Sequence, residues 1–319
     1  MVDSIGVDSL KFTMPCPTGF DGRKRILRSG HRGGGEFATL ERRGRNVALT
    51  ICLPRYLELT NLQPLSESRY ARDIVPQIQT FLHDNGLNEN FSVVTAEVNP
   101  TIDISSFAKC SDVVDFFACA LLSGYGKVFQ CYAAKESKKY RIAVKEAESI
   151  RTIRHSDKTH ILKLYNKGRE LGMAEDRQIL RYELVFQQRG LKRLFGGDMS
   201  IFAVISETGI PKLIEYFCST TIEKILPQLK VYQENCADAL ATAFSCDDSN
   251  ITGAFSEFAL ETAVDRSILK LALTKHYTGS KNASQYICSM KKYLQSKYDV
   301  PRGIDKTIKR IYALCKSTR

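Results

Sequence analysis

Between Ile179 and Phe186 the even positions Leu180, Tyr182, Leu184 and Phe186 are all apolar or aromatic, while the odd positions include Arg181 and Glu183. Side chains alternate across a β-strand, so this segment commits one face to a core and leaves the other polar. The chain must therefore build a sheet with one covered side. The same parity turns Leu162 and Leu164 inward in Thr159 to Tyr165, with Lys163, Tyr165 and then Lys167 outward. In FSVVTAEV (91–98) it buries Val94, Ala96 and Val98 and leaves Thr95 and Glu97 on the opposite side. Three strands thus offer a tyrosine, lysines and two glutamates to what can be one sheet face, although parity does not say that they are neighbours.

Two further strands are expected at Ile5 to Phe12 and Asn46 to Leu53, and another around Lys127 to Ala133. Ser66 or Ser68 caps a helix with apolar residues at Tyr70, Ile74, Ile78, Phe81 and Leu82, stopped by Asn85 and Gly86. Pro76 should kink it or push its start later. SDVVDFFACALLSGY (111–125) reads as a buried helix. After Gly197 the pattern becomes helical, with stripes such as Leu213, Ile214, Phe217, Cys218, Ile222 and Ile225, or Ile304, Ile308, Ile311, Tyr312 and Cys315. A mixed α and β domain over residues 1–200 and a helical domain over 201–319 are expected.

Forty-six basic residues against thirty-five acidic ones give a net charge of +11, which favours a polyanionic partner, nucleic acid first. No apolar run is long enough to span a bilayer and MVDSIGVDSLKF lacks the layout of a signal peptide, so a cytoplasmic protein is expected. Ten scattered cysteines, without C-x-x-C or paired Cys/His clusters, read as reduced and mostly buried thiols rather than zinc ligands. GRKRILRSGHRGGGEFATLERRGR reads as a mobile segment too polar to pack. Its Arg23, Lys24, Arg25, Arg28, Arg32, Arg42, Arg43 and Arg45 are candidates for phosphate contact, with a solvated insertion as the alternative. Lys138, Lys139, Arg141, Lys145, Arg151 and Arg154 form a second basic run.

Carboxylates meeting on a sheet face repel unless neutralised, and a divalent cation with oxygen ligands does this. Mg²⁺ or Mn²⁺ held there would polarise a phosphodiester, and a nearby tyrosine that loses its proton could attack phosphorus. Lysine beside the phenol would favour the phenolate. The plainer alternative is a packing tyrosine at a strand end and solvated glutamates.

HSDKTHILKLYNKGREL followed by ILRYELVFQQRGLKRLFG reads as K-x-x-x-L-K-x-Y-[ND]-K-G-x-E-L and then L-R-[YF]-E. This pattern resembles the rolling-circle replication initiators of filamentous phages, the gene II/X family, and more loosely those of small Gram-positive plasmids, all related to the HUH endonucleases. The resemblance implies an α+β fold, an antiparallel sheet with helices on one face, followed by an all-helical C-terminal domain. It implies a nucleophilic Tyr165 assisted by Lys167, and a Mg²⁺ or Mn²⁺ ion on Glu183 and Glu97; from its place beside the phenol Lys163 is a further helper, and Asp103, which shares Glu97's parity across Pro100, is a third candidate ligand. The implied activity is site-specific nicking and joining of origin DNA through a 5′-phosphotyrosine link that frees a 3′-hydroxyl primer. Supercoiled origin, displaced single strand, host helicase and host polymerase would be the partners, in a bacterial cytoplasm. The sequence departs from the wider group in having no His-hydrophobe-His pair; His160 has core-face parity and is a poor substitute. A non-enzymatic DNA-binding regulator remains the alternative.

Overall fold

The computed structural model describes residues 3–57, 64–66, 68–125, 130–132, 152–156, 159–246, 250–298 and 300–318. Its described strands form one antiparallel sheet in the order β2-β3-β4-β1-β5-β9-β8-β7-β6. These are β1 (Ser4–Pro15), β2 (Arg25–Arg28), β3 (Glu36–Arg43), β4 (Asn46–Cys52), β5 (Ser92–Asp103), β6 (Gln130–Tyr132), β7 (Thr152–Ser156), β8 (His160–Asn166) and β9 (Ile179–Gln187). The helices are α1 (Pro54–Leu57), α2 (Ala71–Asp84), α3 (Cys110–Tyr125), α4 (Lys167–Glu170), α5 (Gln188–Phe195), α6 (Ile201–Val204), α7 (Gly209–Thr220), α8 (Leu226–Cys246), α9 (Ile251–Glu261), α10 (Arg266–His276), α11 (Ala283–Tyr298) and α12 (Ile304–Ser317). The fold is α+β, with helices against one sheet face and an all-helical C-terminal region.

The apolar face of β9 shows why the helices lie where they do. Tyr182 meets Phe117 of α3 and Phe217 of α7, with ring centroids 6.2 and 5.5 Å apart, and Phe186 stacks on Tyr216 of α7 at 4.6 Å. The Tyr182 hydroxyl also finds Thr221 at 3.3 Å, which satisfies a polar atom inside this packing. One hydrophobic cluster runs from the sheet through α7 into α8 and α10, so the change from strands to helices after β9 does not interrupt the core.

Several sequence expectations shift. The arginine-rich segment forms β2 and β3, with Phe37, Ala38 and Leu40 buried, because a charged hairpin is a stable way to end a sheet. Ser68 opens a 3₁₀ turn (Ser68–Tyr70) rather than capping α2, and Pro76 lies inside that helix as its sixth residue. The basic run at 138–151 lies outside the described residues, as do the ends of the strand expected at Lys127 to Ala133. Among the described residues nine cysteines are free, four buried and two exposed. No helix among them is long and apolar enough to cross a membrane.

Candidate active site

The strand that carries Tyr165 is stopped by its own sequence. The Asn166 side chain accepts a hydrogen bond from the Arg169 amide at 3.1 Å, capping the one-turn helix α4 that follows. Gly168 then lies so close to its neighbour that a Cβ there would stand 2.7 Å from the Arg177 carbonyl oxygen. Lys167 between them is only 1% exposed; its Nζ contacts Glu170 at 2.9 Å and lies 5.8 Å from the centroid of the Tyr165 ring. Each residue of Y-N-K-G thus has a local structural task, and together they fix Tyr165 at the end of β8.

Register brings the polar faces together. Lys163 is opposite Glu183 and Tyr165 opposite Arg181 across β8 and β9, while Glu97 of β5 is opposite Val185 of β9. On β1 the pairing with β5 slips between Val7 and Ser9, a bulge that leaves Asp8 as the extra residue. Such a bulge re-aims a side chain, and here Asp8 joins the same face as Glu97. Carboxylate oxygens of Asp8, Glu97 and Glu183 all lie within 4.8 Å of one another.

The inner end of this cluster is closed and the outer end is open. Arg181 is fully buried; it bonds Asp8 at 3.0 Å through Nη1 and Thr101 Oγ1 at 3.1 Å through Nε. Glu183 has a 4% exposed side chain, whereas Glu97 and Lys163 keep 24% and 27% exposed. The Lys163 ammonium bridges Glu97 Oε1 at 2.8 Å and Glu183 Oε2 at 3.1 Å. The Tyr165 hydroxyl donates to Glu183 Oε1 at 2.5 Å.

Electrostatics follow from this crowding. Burial lifts Asp8 to about 6 despite Arg181 beside it, and Glu183 and Glu97 add to the rise. Burial and then Glu183 raise Glu97. For Lys163 burial pulls downward, but Glu183 and Glu97 outweigh it and the ammonium is held charged. Tyr165 is pushed strongly upward, by burial first and by the Glu183 charge second. The expectation that flanking lysines would favour a phenolate is therefore overturned: both lysines are engaged by carboxylates, so the phenol keeps its proton.

Three carboxylates with oxygen donors only are a ligand set suited to a hard divalent cation. Asp8 Oδ1, buried and with no hydrogen-bond partner among the described residues, is an acceptor waiting for positive charge. The residues present fit such an ion, with Lys163 as its competitor for the same oxygens.

The remaining expected residues lie elsewhere. Asp103 shares Glu97's face but ends β5, about 20 Å further along at the usual strand rise. There its carboxylate accepts from Ser105 and faces Arg177 at 3.7 Å, and those bonds hold it below the ordinary range against the effect of burial. Asp8 takes the third position in the carboxylate cluster. His160 is buried, with Nδ1 3.1 Å from Thr159 Oγ1. Arg23, Lys24, Arg25, Arg28, Arg32, Arg42, Arg43 and Arg45 lie on or beside the β2–β3 hairpin at one sheet edge, with β4 between β3 and β1. Four of them pair locally: Arg23 and Arg25 with Asp21, Arg28 with Glu36, Arg43 with Glu41.

No protein-family model matches the sequence, and no curated protein matches it. Among solved structures the chain is similar to a "Rolling Circle Replication Initiator Protein from Geobacillus stearothermophilus", at 12% sequence identity and a TM-score of 0.37, over 69% of this chain and 84% of that one.

Proposed function

We propose that the chain is a metal-dependent DNA nicking and joining protein that starts rolling-circle replication, with Tyr165 as nucleophile. The observation that carries this reading is the Tyr165 hydroxyl donating to Glu183 at the rim of a three-carboxylate cluster, because it pairs a nucleophile with a proton acceptor beside a cation site. A Mg²⁺ or Mn²⁺ ion held by Asp8, Glu97 and Glu183 would supply positive charge to the phosphate oxygens.

In the proposed reaction the Tyr165 oxygen attacks phosphorus as its proton passes to Glu183. A P–O bond forms to the tyrosine, the P–O3′ bond breaks, and the 3′ oxygen departs to take up a proton. The product is a 5′-phosphotyrosine and a free 3′-hydroxyl. Attack by a 3′-hydroxyl on the same phosphorus reverses the step and rejoins the strand. Lys163 holds the Glu183 carboxylate in place, and Lys167 sets the tyrosine ring from beneath. Origin DNA, its displaced strand, and a host helicase and polymerase in a bacterial cytoplasm belong to this reading, as does DNA contact by the β2–β3 hairpin.

A second reading, a DNA-binding regulator without activity, is favoured by one observation: Lys163 already neutralises Glu97 and Glu183, and the phenol is held protonated. Incubation with supercoiled candidate origin DNA and Mg²⁺ or Mn²⁺ decides between them. The nicking reading expects protein linked to a 5′ end in the wild type and none in Tyr165→Phe; a gel shift with no cleavage in the wild type supports the regulator.

A further inference from the structure

The excess positive charge is concentrated at one end of the chain. Residues 266–319 contain thirteen lysines and arginines against two acids, so the first 265 residues, with 33 of each sign, are neutral overall. The arginine-rich β2–β3 hairpin lies in the neutral part and pairs half of its basic candidates with its own acids. The net charge of +11 therefore belongs to α10, α11, α12 and their connections.

Within this region α11 is the least embedded element. Of its sixteen residues only Leu294 is fully buried, and its sequence ASQYICSMKKYLQSKY contains no acid. Tyr286 and Tyr293, seven residues and so two turns apart, are 50% and 49% exposed on one stripe, and Lys297 continues that stripe one turn further. Tyr277, at the end of α10, stacks on Tyr286 with ring centroids 5.6 Å apart and planes inclined by 22°. Lys297 Nζ lies 5.7 Å from the Tyr293 ring centroid and 5.2 Å from that of Tyr298. Lys281, Lys292 and Lys297 are exposed and make no ion pair among the described residues.

Aromatic faces interleaved with uncompensated lysines are the two components that hold single-stranded nucleic acid: bases stack on the rings and phosphates meet the ammonium groups. A duplex would use the charge but not the rings, since its bases are already stacked. We infer that the α11 face built from Tyr277, Tyr286, Tyr293, Lys281 and Lys297, with Lys292 at its flank, binds single-stranded DNA. The helix contacts α10, α10 contacts α8, and α8 packs on α3, whose Phe117 touches the apolar side of the sheet. The α11 face thus belongs to the helical side of the sheet, away from Tyr165. This role rests on the proposed function only in taking the polyanion to be DNA.

The test uses the full chain and a fluorescent 20-nucleotide oligothymidylate, read by anisotropy over a range of salt. Tyr286→Ala/Tyr293→Ala should weaken binding by about 10- to 100-fold, with an unchanged salt slope and unchanged melting temperature. Tyr286→Phe/Tyr293→Phe should keep wild-type affinity, because the ring faces remain. Lys281→Gln/Lys292→Gln/Lys297→Gln should lower the salt slope by about 2, as three phosphate contacts are lost. The inference is overturned if the alanine pair binds like the wild type. It also falls if a 20-base-pair duplex or anionic phosphatidylglycerol vesicles bind as tightly and respond to the same alanines. Tyr165→Phe should bind the oligomer normally, so an absence of nicking in the wild type would count against the proposed function while leaving the α11 result to stand.

Discussion

Tyr165 and Glu183 share a 2.5 Å hydrogen bond across β8 and β9, and the same carboxylate receives Lys163 on its other oxygen at 3.1 Å. Glu183 is thus acceptor for the Tyr165 hydroxyl and anchor for the Lys163 ammonium beside it. That double use explains why a buried glutamate is tolerated, since both oxygens are satisfied by donors.

Glu183→Gln keeps the shape and removes the charge. The proton from Tyr165 then has no carboxylate to receive it, so covalent attachment to origin DNA should fall by about 10²- to 10⁴-fold. The phenol pKa should move down from its raised position, because one of the charges raising it is gone, while burial still keeps it above the ordinary range. Ultraviolet titration of the variant against wild type and Tyr165→Phe reads the second effect, and quantified protein-linked 5′ ends read the first.

Manganese should stabilise the wild-type chain in a thermal melt, by about 2.7 kcal/mol at a hundredfold excess over Kd, and Asp8→Asn should abolish the gain. Lys163 competes for the oxygens of Glu97 and Glu183, so Lys163→Gln should bind manganese more tightly than wild type. If that variant binds it more weakly, the ammonium assists the ion rather than opposing it, and the competition argued from the 2.8 and 3.1 Å contacts is wrong.

Arg181→Met should cost about 3–5 kcal/mol in urea unfolding at pH 8, since it strands the Asp8 carboxylate in the interior. Asp8 is already raised to about 6, and losing Arg181 raises it further. A group raised in the folded state favours folding at pH below its unfolded value and loses that advantage as pH rises through the folded value. The deficit of Arg181→Met should therefore shrink from pH 8 to pH 5, and Arg181→Met/Asp8→Asn should recover part of it at pH 8.

The face that carries Lys163, Tyr165, Glu97 and Glu183 is legible in the sequence because alternation is a local property of each strand. Their adjacency is not, because Lys163 meets Glu97 across 66 residues and Arg181 meets Asp8 across 173. Asp8 escapes for a second reason: counting back from Phe12 and Leu10 puts it on the core face, and only the bulge between Val7 and Ser9 turns it toward Glu97. An aspartate in line with the apolar Leu10, Phe12 and Met14 is the available signal. Asp103 shows the converse error, since parity fixes a face but not a position along the strand. The β2–β3 hairpin reads as loop because edge strands carry the charges that interior strands exclude.

Asn166→Ala removes the side-chain acceptor of α4 and should cost about 1 kcal/mol. Gly168→Ala should cost more, about 1–3 kcal/mol, because its new methyl stands 2.7 Å from a backbone oxygen that cannot swing away. Both move the end of β8, so attachment through Tyr165 should fall in each beyond what the loss of folded protein accounts for. Chemical denaturation beside the attachment assay separates the two effects.

Asp115 of α3 gives a pH signature away from the carboxylate cluster. Its pKa is raised to about 6, chiefly by burial and then by Asp112, and its Oδ1 has no hydrogen-bond partner among the described residues. Because the folded value exceeds the unfolded one, the folded state binds the extra proton between about pH 4 and 6, and stability falls as pH rises through that window. At pH 8 the half-buried charge costs about 1–2 kcal/mol, less than the full energy of such a shift because solvent screens it. Asp115→Asn should therefore be the more stable protein at pH 8 and match wild type near pH 4, when urea midpoints of the two are compared across the range. A constant difference between them would instead assign the effect to packing rather than to the proton.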